Sequence, residues 1–327
     1  MSTDPLKVIV LGSGNTGSGA IYDYLKNRPD FVAPLQQEFR LIQDPGGLVD
    51  LHSSIGFQFH TNRASSAIKE FQYLCERAAM SKNGYRKGLD YVKDIENFEE
   101  KVDQFVDNIT TVKYDGMPFC ERSKLSLIKA YIYEKKRVRA KRKGGKPSVG
   151  TIRVPVNEGK FLVEAKKFLD SIFIPSKNGS ADEYRSVVIN QGGSFWAPES
   201  STQYFGERRK AIVVTRDPRG IYSSFQMKGY AYPGDDVHLF CNWFKEIMSH
   251  VDYSEWNNEY VRQVQFEDFV LNFEEEKKKL DQFLGIPNLE SSINIDRSAF
   301  NAEKFQNRLT YDDLKVIEKE LSDYLYF

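Results

Sequence analysis

The stretch Gly12-Ser13-Gly14-Asn15-Thr16-Gly17-Ser18-Gly19 alternates glycine with small polar residues. Glycines let backbone amides approach a ligand that a Cβ would hold off, while Thr16 and Ser18 add hydroxyl donors. Such a stretch can hold a phosphate or a sulfate if a helix starts at its end, because free amides and the helix dipole then face the anion. Much further along, Arg216 and Ser224 stand eight residues apart in TRDPRGIYSSF. A guanidinium offers a planar fork of donors and serine a hydroxyl, which together suit a terminal phosphate monoester if the turn of a following helix brings them together.

Both groups need a scaffold, and the sequence supplies one. Lys7 to Leu11 (KVIVL) reads as a strand buried on both faces, and the segment from Ser18 places Ile21, Tyr22 and Leu25 at helical spacing before Pro29. Ser186 to Asn190 (SVVIN) and Ala211 to Thr215 (AIVVT) repeat the buried-strand pattern, the second leading into a helix over Ile221 to Lys228. Val261 to Phe266 and the helix LNFEEEKKKLDQFLGI, stopped by Gly285 and Pro287, add another pair. A short second strand is expected at Phe39 to Ile42, ending at the turn Asp44-Pro45-Gly46-Gly47. The fold class is therefore α/β, a central parallel sheet flanked by helices in one domain spanning 1–327. A charged helical insertion is expected at about 61–150, with Phe71, Leu74, Cys75 and Ala78 along one face.

Composition narrows the partners. The 46 basic and 46 acidic residues cancel, so whole-molecule attraction to nucleic acid or to an anionic membrane gets no support. Local charge is another matter: Lys135, Lys136, Arg137, Arg139, Lys141, Arg142, Lys143 and Lys146 form a dense run. It reads either as a solvated helix end or as a docking patch for a polyanionic acceptor such as an acidic polysaccharide. Cys75, Cys120 and Cys241 make no CxxC pair, which fits buried thiols in a reducing compartment and gives no zinc site. No segment approaches the roughly 18 apolar residues of a membrane span, so a cytoplasmic protein without a membrane anchor is expected.

The first loop alone fits rival chemistries. Gly12, Gly14 and Gly17 spell GxGxxG with Glu38 about twenty residues on, as a nicotinamide-dinucleotide oxidoreductase requires. A Walker loop would need lysine where Ser18 stands, which disfavours a kinase or nucleoside triphosphatase. Neither explains Arg216 and Ser224.

The segment AIVVTRDPRGIYSSF resembles the 3'-phosphate-binding segment of sulfotransferases that use 3'-phosphoadenosine 5'-phosphosulfate (PAPS), and GSGNTGSGAIYDYL is similar to their 5'-phosphosulfate loop. VQFEDFVLNFEEEKKKLDQFLGI and FNAEKFQNRLTYDDLKVIEKEL resemble that family's late strand and helix and its C-terminal segment. The likeness covers roughly the first fifty residues and those after about Arg185, and leaves the middle third unmatched.

The resemblance implies a P-loop-like fold of the bacterial or Golgi-type carbohydrate sulfotransferases, no obligatory metal, and adenosine 3',5'-bisphosphate as product. It assigns the 5'-phosphosulfate to Gly14, Asn15, Thr16, Gly17, Ser18 and Gly19, the 3'-phosphate to Arg216 and Ser224, and a closing basic residue to Lys304. Asn15 stands where many members carry a lysine that steadies the leaving group, so an amide replaces a charge there. Glu38 is the expected general base for a hydroxyl acceptor, expected to be a carbohydrate, with Asp44, His52 and His60 as other candidates. Gln191, Phe195 and Trp196, just past a strand end, are expected near the acceptor or, for the aromatics, in the core. A catalytically inactive scaffold in glycan assembly is the non-enzyme alternative that Asn15 invites.

Overall fold

The computed structural model describes residues 4–83, 87–144, 150–174, 186–228, 232–288 and 308–326. Seven strands are present among them: β1 (Lys7–Gly12), β2 (Phe31–Val32), β3 (Thr110–Asp115), β4 (Thr151–Pro155), β5 (Ser186–Asn190), β6 (Arg209–Thr215) and β7 (Val261–Gln265). The chain divides into two compact units, one of residues 1–39 and 176–327 and the other of residues 40–175.

The first unit is an α/β layer structure built on a parallel sheet of order β2-β5-β1-β6-β7. Val8, Ile9, Val10 and Leu11 are fully buried, as a continuous β-branched and leucine run must be at the centre of a sheet covered on both faces. The helices Ser18–Lys26 and Phe273–Leu284 cover one face through Ile21, Tyr24, Leu25 and Leu280, packed on Val10, Val188, Val214 and Val264. Helices Pro218–Lys228, Val237–Ser249 and Tyr311–Glu320 form a further cluster around Tyr222, Phe225 and Phe240. The helix Phe273–Leu284 ends at Gly285, whose φ of 67° is the left-handed conformation that stops a helix. Register places Val10 opposite Asn190, Gly12 opposite Val214 and Thr215 opposite Gln265, so four loops leave the sheet along one edge.

A buried ion cluster ties the first helix to the late one. Arg28 donates to Asp281 at 3.1 Å, to Asp30 at 2.8 Å, to the Tyr24 hydroxyl at 2.9 Å and to the Pro287 carbonyl at 3.0 Å. Burial pushes the Asp281 carboxyl up, against the opposing pull of Arg28 and Lys277.

The expected strand at Phe39–Ile42 does not form. The Phe39 amide does reach Asn190 at the end of β5, at 2.7 Å. The carbonyls of Leu41 and Ile42, however, accept from the amides of Leu48 and Val49 and so close the chain onto the start of the helix Leu48–Ile55. The only strand between β1 and the second unit is the two-residue β2.

The second unit contains the charged middle of the sequence. Helices Thr61–Ala79, Phe98–Asn108 and Glu158–Phe173 meet in an aromatic core, with the Phe105 and Phe168 rings stacked at 4.7 Å and Phe71 edge-on to Phe105 at 5.4 Å. Phe71, Cys75 and Ala78 are buried on one helix face, as their spacing predicts, while Leu74 beside them is half-buried. The antiparallel pair β3 and β4 interrupts the helices. Cys75 and Cys241 are buried free thiols, and burial pushes the latter up to about 11.

Candidate active site

The glycine loop joins β1 to the helix Ser18–Lys26 in a conformation that few other sequences tolerate. Gly14 and Gly17 have φ values of 102° and 86°, and Asn15 has 54°, a left-handed value that asparagine accepts more readily than most residues. Contacts reinforce the requirement: a Cβ on Gly14 would lie 2.7 Å from the Tyr232 hydroxyl, and one on Gly17 only 2.2 Å from the Phe266 ring. Gly17 caps the helix start, and no side chain takes the first helical amides. Those amides, with the positive end of the helix dipole, are suited to an anion.

Thr16 is 2% exposed, and its Oγ1 has no hydrogen-bond partner. A buried, unsatisfied hydroxyl in such a loop is matched by an anion oxygen, which would supply the missing partner. Gln191, in left-handed backbone at φ 57°, spans the loop from the end of β5. Its Oε1 accepts from the Gly12 amide at 3.2 Å and its Nε2 donates to Ser18 Oγ at 3.1 Å. Gln191 therefore braces the loop, a role its polar turn did not reveal in sequence.

At the end of β6, the side chain of Arg216 turns toward the loop. Nη1 donates to the Asn15 carbonyl at 3.0 Å and to Ser224 Oγ at 3.3 Å, while Ser224 donates back to the Gly220 carbonyl at 2.9 Å. The eight-residue spacing works because the intervening residues enter the helix Pro218–Lys228, which Asp217 caps by accepting from the Arg219 amide at 2.8 Å. The guanidinium lies over the Phe266 ring at 4.8 Å, its side chain 14% exposed, and Nε is buried without a hydrogen-bond partner. Burial lowers the proton affinity of Arg216, Glu267 and Asp217 restore part of it, and the charge of Arg308 opposes it further. Arginine stays protonated throughout, so two positive charges bear on this point.

Glu267 is buried beneath the arginine. It accepts from the Asp217 amide at 3.1 Å and from Gln265 Nε2 at 2.6 Å, and stands 4.0 Å from Arg216 Nε. Burial pushes its carboxyl above the usual carboxylate range despite these donors.

A cavity of about 400 Å³ opens beside these groups, with Ser13, Thr16, Arg216, Gln265 and Asp268 on its wall. Phe195, Phe244, Tyr253 and Tyr324 add ring surface to the lining, and Tyr326, also on the wall, donates its hydroxyl to Asp268 at 2.8 Å. Phe195 is 2% exposed and thus both core and wall, whereas the Trp196 indole donates to the Ile247 carbonyl at 2.8 Å.

The remaining sequence-predicted residues are placed as follows. Glu38 is exposed, one residue before the Phe39 amide that bonds to the end of β5. Asp44, His52 and His60 belong to the second unit. There Asp44 pairs with Arg40 at 2.9 Å, and His52 pairs with Glu158 at 2.9 Å and stacks on Phe161. His60 Nδ1 accepts from the Asn62 amide as a helix cap. Gly19 has open space around it. Lys304 lies outside the described residues. Phe266, Glu267, Tyr232 and Arg308 were not singled out in sequence, although the first two lie within the stretch VQFEDF.

Among solved structures, the chain is similar to the sulfotransferase domain from the Synechococcus PCC 7002 olefin synthase, with 13% identity and a TM-score of 0.44 over 97% of this chain and 95% of that one. No protein-family model matches the chain, and no curated protein does. Among the described residues, no group of three or more histidine, cysteine, aspartate or glutamate side chains is placed to hold a metal, and no helix is long and apolar enough to cross a membrane.

Proposed function

We propose that the chain is a sulfotransferase that moves a sulfuryl group from PAPS to a hydroxyl of an acceptor, with both units acting as one domain. A single contact set carries this reading: one guanidinium nitrogen of Arg216 touches the glycine loop at Asn15 and also Ser224. Two candidate anion-binding elements from distant parts of the chain therefore adjoin, as binding of a nucleotide with phosphates at both its 3' and 5' positions would require.

Strand order supports the same conclusion against the nicotinamide alternative. In a dinucleotide fold the strand that carries the ribose-binding acid lies next to the first strand. Here β5 separates β1 from β2, and the carboxylate expected for that role, Glu38, follows no strand next to β1.

In this reading the amides from Gly14 to Gly19, with Thr16 and Ser18, hold the 5'-phosphosulfate, while Arg216 and Ser224 hold the 3'-phosphate, and Lys304 with Arg308 adds positive charge. PAPS, when bound, supplies an activated sulfuryl group with adenosine bisphosphate as its leaving group. The chain's task is positioning and electrostatic support of an in-line displacement. The acceptor oxygen forms a bond to sulfur as the bond from sulfur to the bridging phosphate oxygen breaks, and Glu38 takes the acceptor proton. Asn15 offers an amide in place of a cation at the leaving oxygen, which leaves the helix dipole and the loop amides to bear more of its charge. A carbohydrate acceptor suits the ring-lined cavity, in which the side chains of Gln263, Gln265 and Asp268 can hydrogen-bond to hydroxyl groups.

Calorimetry with adenosine 3',5'-bisphosphate tests the cofactor. The wild-type chain should bind it, and Arg216→Ala should weaken binding by about 10–100-fold, the worth of a charge-assisted hydrogen bond to a phosphate. Binding of a nicotinamide dinucleotide but not of the bisphosphate would end this reading. Transfer of radiolabelled sulfate to a panel of glycans distinguishes an enzyme from an inactive scaffold.

A further inference from the structure

The helix Leu127–Arg142 buries none of its residues. Leu127 is 90% exposed and Ile128 74%, and Tyr131, Ile132 and Val138 are exposed as well. Single apolar side chains at a surface are ordinary, but five on one helix make a patch. The same helix and its cap carry Lys129, Lys135, Lys136, Arg137, Arg139, Lys141, Arg142 and Lys143 against one acid, Glu134, which accepts from Arg122 and Arg137.

The apolar set shares a face with three of the cations, while Lys129, Lys136, Arg137 and Lys141 point elsewhere. At 3.6 residues per turn, Leu127, Val138, Tyr131, Ile128 and Ile132 fall within an arc of roughly 140°, and Arg142, Lys135 and Arg139 fall within that same arc. The half-buried positions Ala130, Tyr133, Glu134 and Ala140 take the opposite side. Apolar and cationic residues are thus separated along the axis instead of around it: the first two turns are greasy and the last two are charged.

We infer that this helix docks the protein on an anionic phospholipid surface. A soluble polyanion would be served by the cations alone and gives Leu127, Ile128 and Ile132 nothing to enter. A bilayer offers both partners, acyl chains for the first turns and acidic headgroups for the last, where lysine and arginine stems lie along the interface with their charges in water. Each cation near an acidic leaflet strengthens binding by roughly fivefold, so Lys135, Arg139 and Arg142 on this face together contribute roughly a hundredfold without any net charge on the whole chain. Docking of this kind goes beyond the catalytic reading and does not depend on it.

The test is sedimentation of the full chain with phosphatidylcholine vesicles and with vesicles holding about 30% phosphatidylserine, at about 0.1 M salt. Binding should require phosphatidylserine. Replacing Leu127, Ile128, Tyr131 and Ile132 with serine should weaken it at least about tenfold with charge unchanged, and Lys135→Ser with Lys136→Ser, Arg139→Ser and Arg142→Ser should weaken it further. All of these side chains are exposed, so circular dichroism should not change. In a separate Tyr131→Trp variant, emission should shift to the blue on vesicles and stay unmoved by a heparin fragment. Failure to sediment with acidic vesicles, or sedimentation indifferent to the four apolar replacements, would overturn the inference. Retention by heparin with no emission shift on vesicles would overturn it in favour of a soluble polyanion. Bisphosphate binding is measured without vesicles, so failure here leaves the catalytic reading untouched.

Discussion

Gln191 and Ser18 meet side chain to side chain at 3.1 Å, while the other end of the same amide holds the Gly12 backbone at 3.2 Å. One side chain thus fixes both ends of the glycine loop, and it comes from a neighbouring strand, so the loop geometry is set before any ligand arrives. Gln191→Ala should raise the dissociation constant for adenosine 3',5'-bisphosphate about tenfold, the worth of two neutral hydrogen bonds, with a smaller effect on stability. Titration calorimetry and a denaturant melt measure the two quantities separately.

Ser224 offers a milder test of the other anchor. Its hydroxyl accepts from Arg216 and donates to its own helix, so Ser224→Ala should weaken bisphosphate binding by about 5–10-fold. The two side chains touch, and the Arg216→Ala and Ser224→Ala effects should therefore fall short of additivity in a double-mutant cycle. Full additivity would mean that they serve different ligand groups.

Glu267 gives a pH signature. Its carboxyl is raised in the folded chain by burial, so the native state binds this proton more tightly than the unfolded state does. The group then favours folding below the unfolded carboxylate range, and that contribution is lost as pH rises through the raised native value. Glu267→Gln should remove this loss. Its melting temperature relative to wild type should climb as pH rises from below the unfolded carboxylate range through the raised native value and level off above it; a constant offset at every pH would contradict the assignment.

Arg28 is the structural counterpart. Its side chain is 1% exposed and that of Asp281 2%. Arg28→Ala should cost about 3–5 kcal/mol, because it strands a buried carboxylate. Urea denaturation measures this loss.

Strands β1, β5 and β6 were readable because burial on both faces forces unbroken runs such as KVIVL and AIVVT, whereas the two-residue β2 is too short to show a pattern and went unread. The spacing of Arg216 and Ser224 predicted that a following helix would bring them together, and they meet at 3.3 Å. Phe39–Ile42 misled because its apolar residues are buried by a turn and not by a strand, and composition does not distinguish the two. The β3–β4 pair went unseen because β3 is largely exposed and its partner lies beyond the helix Leu127–Arg142. The brace made by Gln191 depends on a strand crossover that brings residues 18 and 191 together, which no local pattern records.

Phe266 stands under the Arg216 guanidinium and against the backbone of Gly17, so a single ring is common footing for two anchors that lie 199 residues apart in the sequence. Heritable change is constrained accordingly. A larger residue at 17 needs a smaller one at 266, and a smaller one at 266 withdraws the π-face from the cation, so descendants would have to drift at all three positions together or keep them.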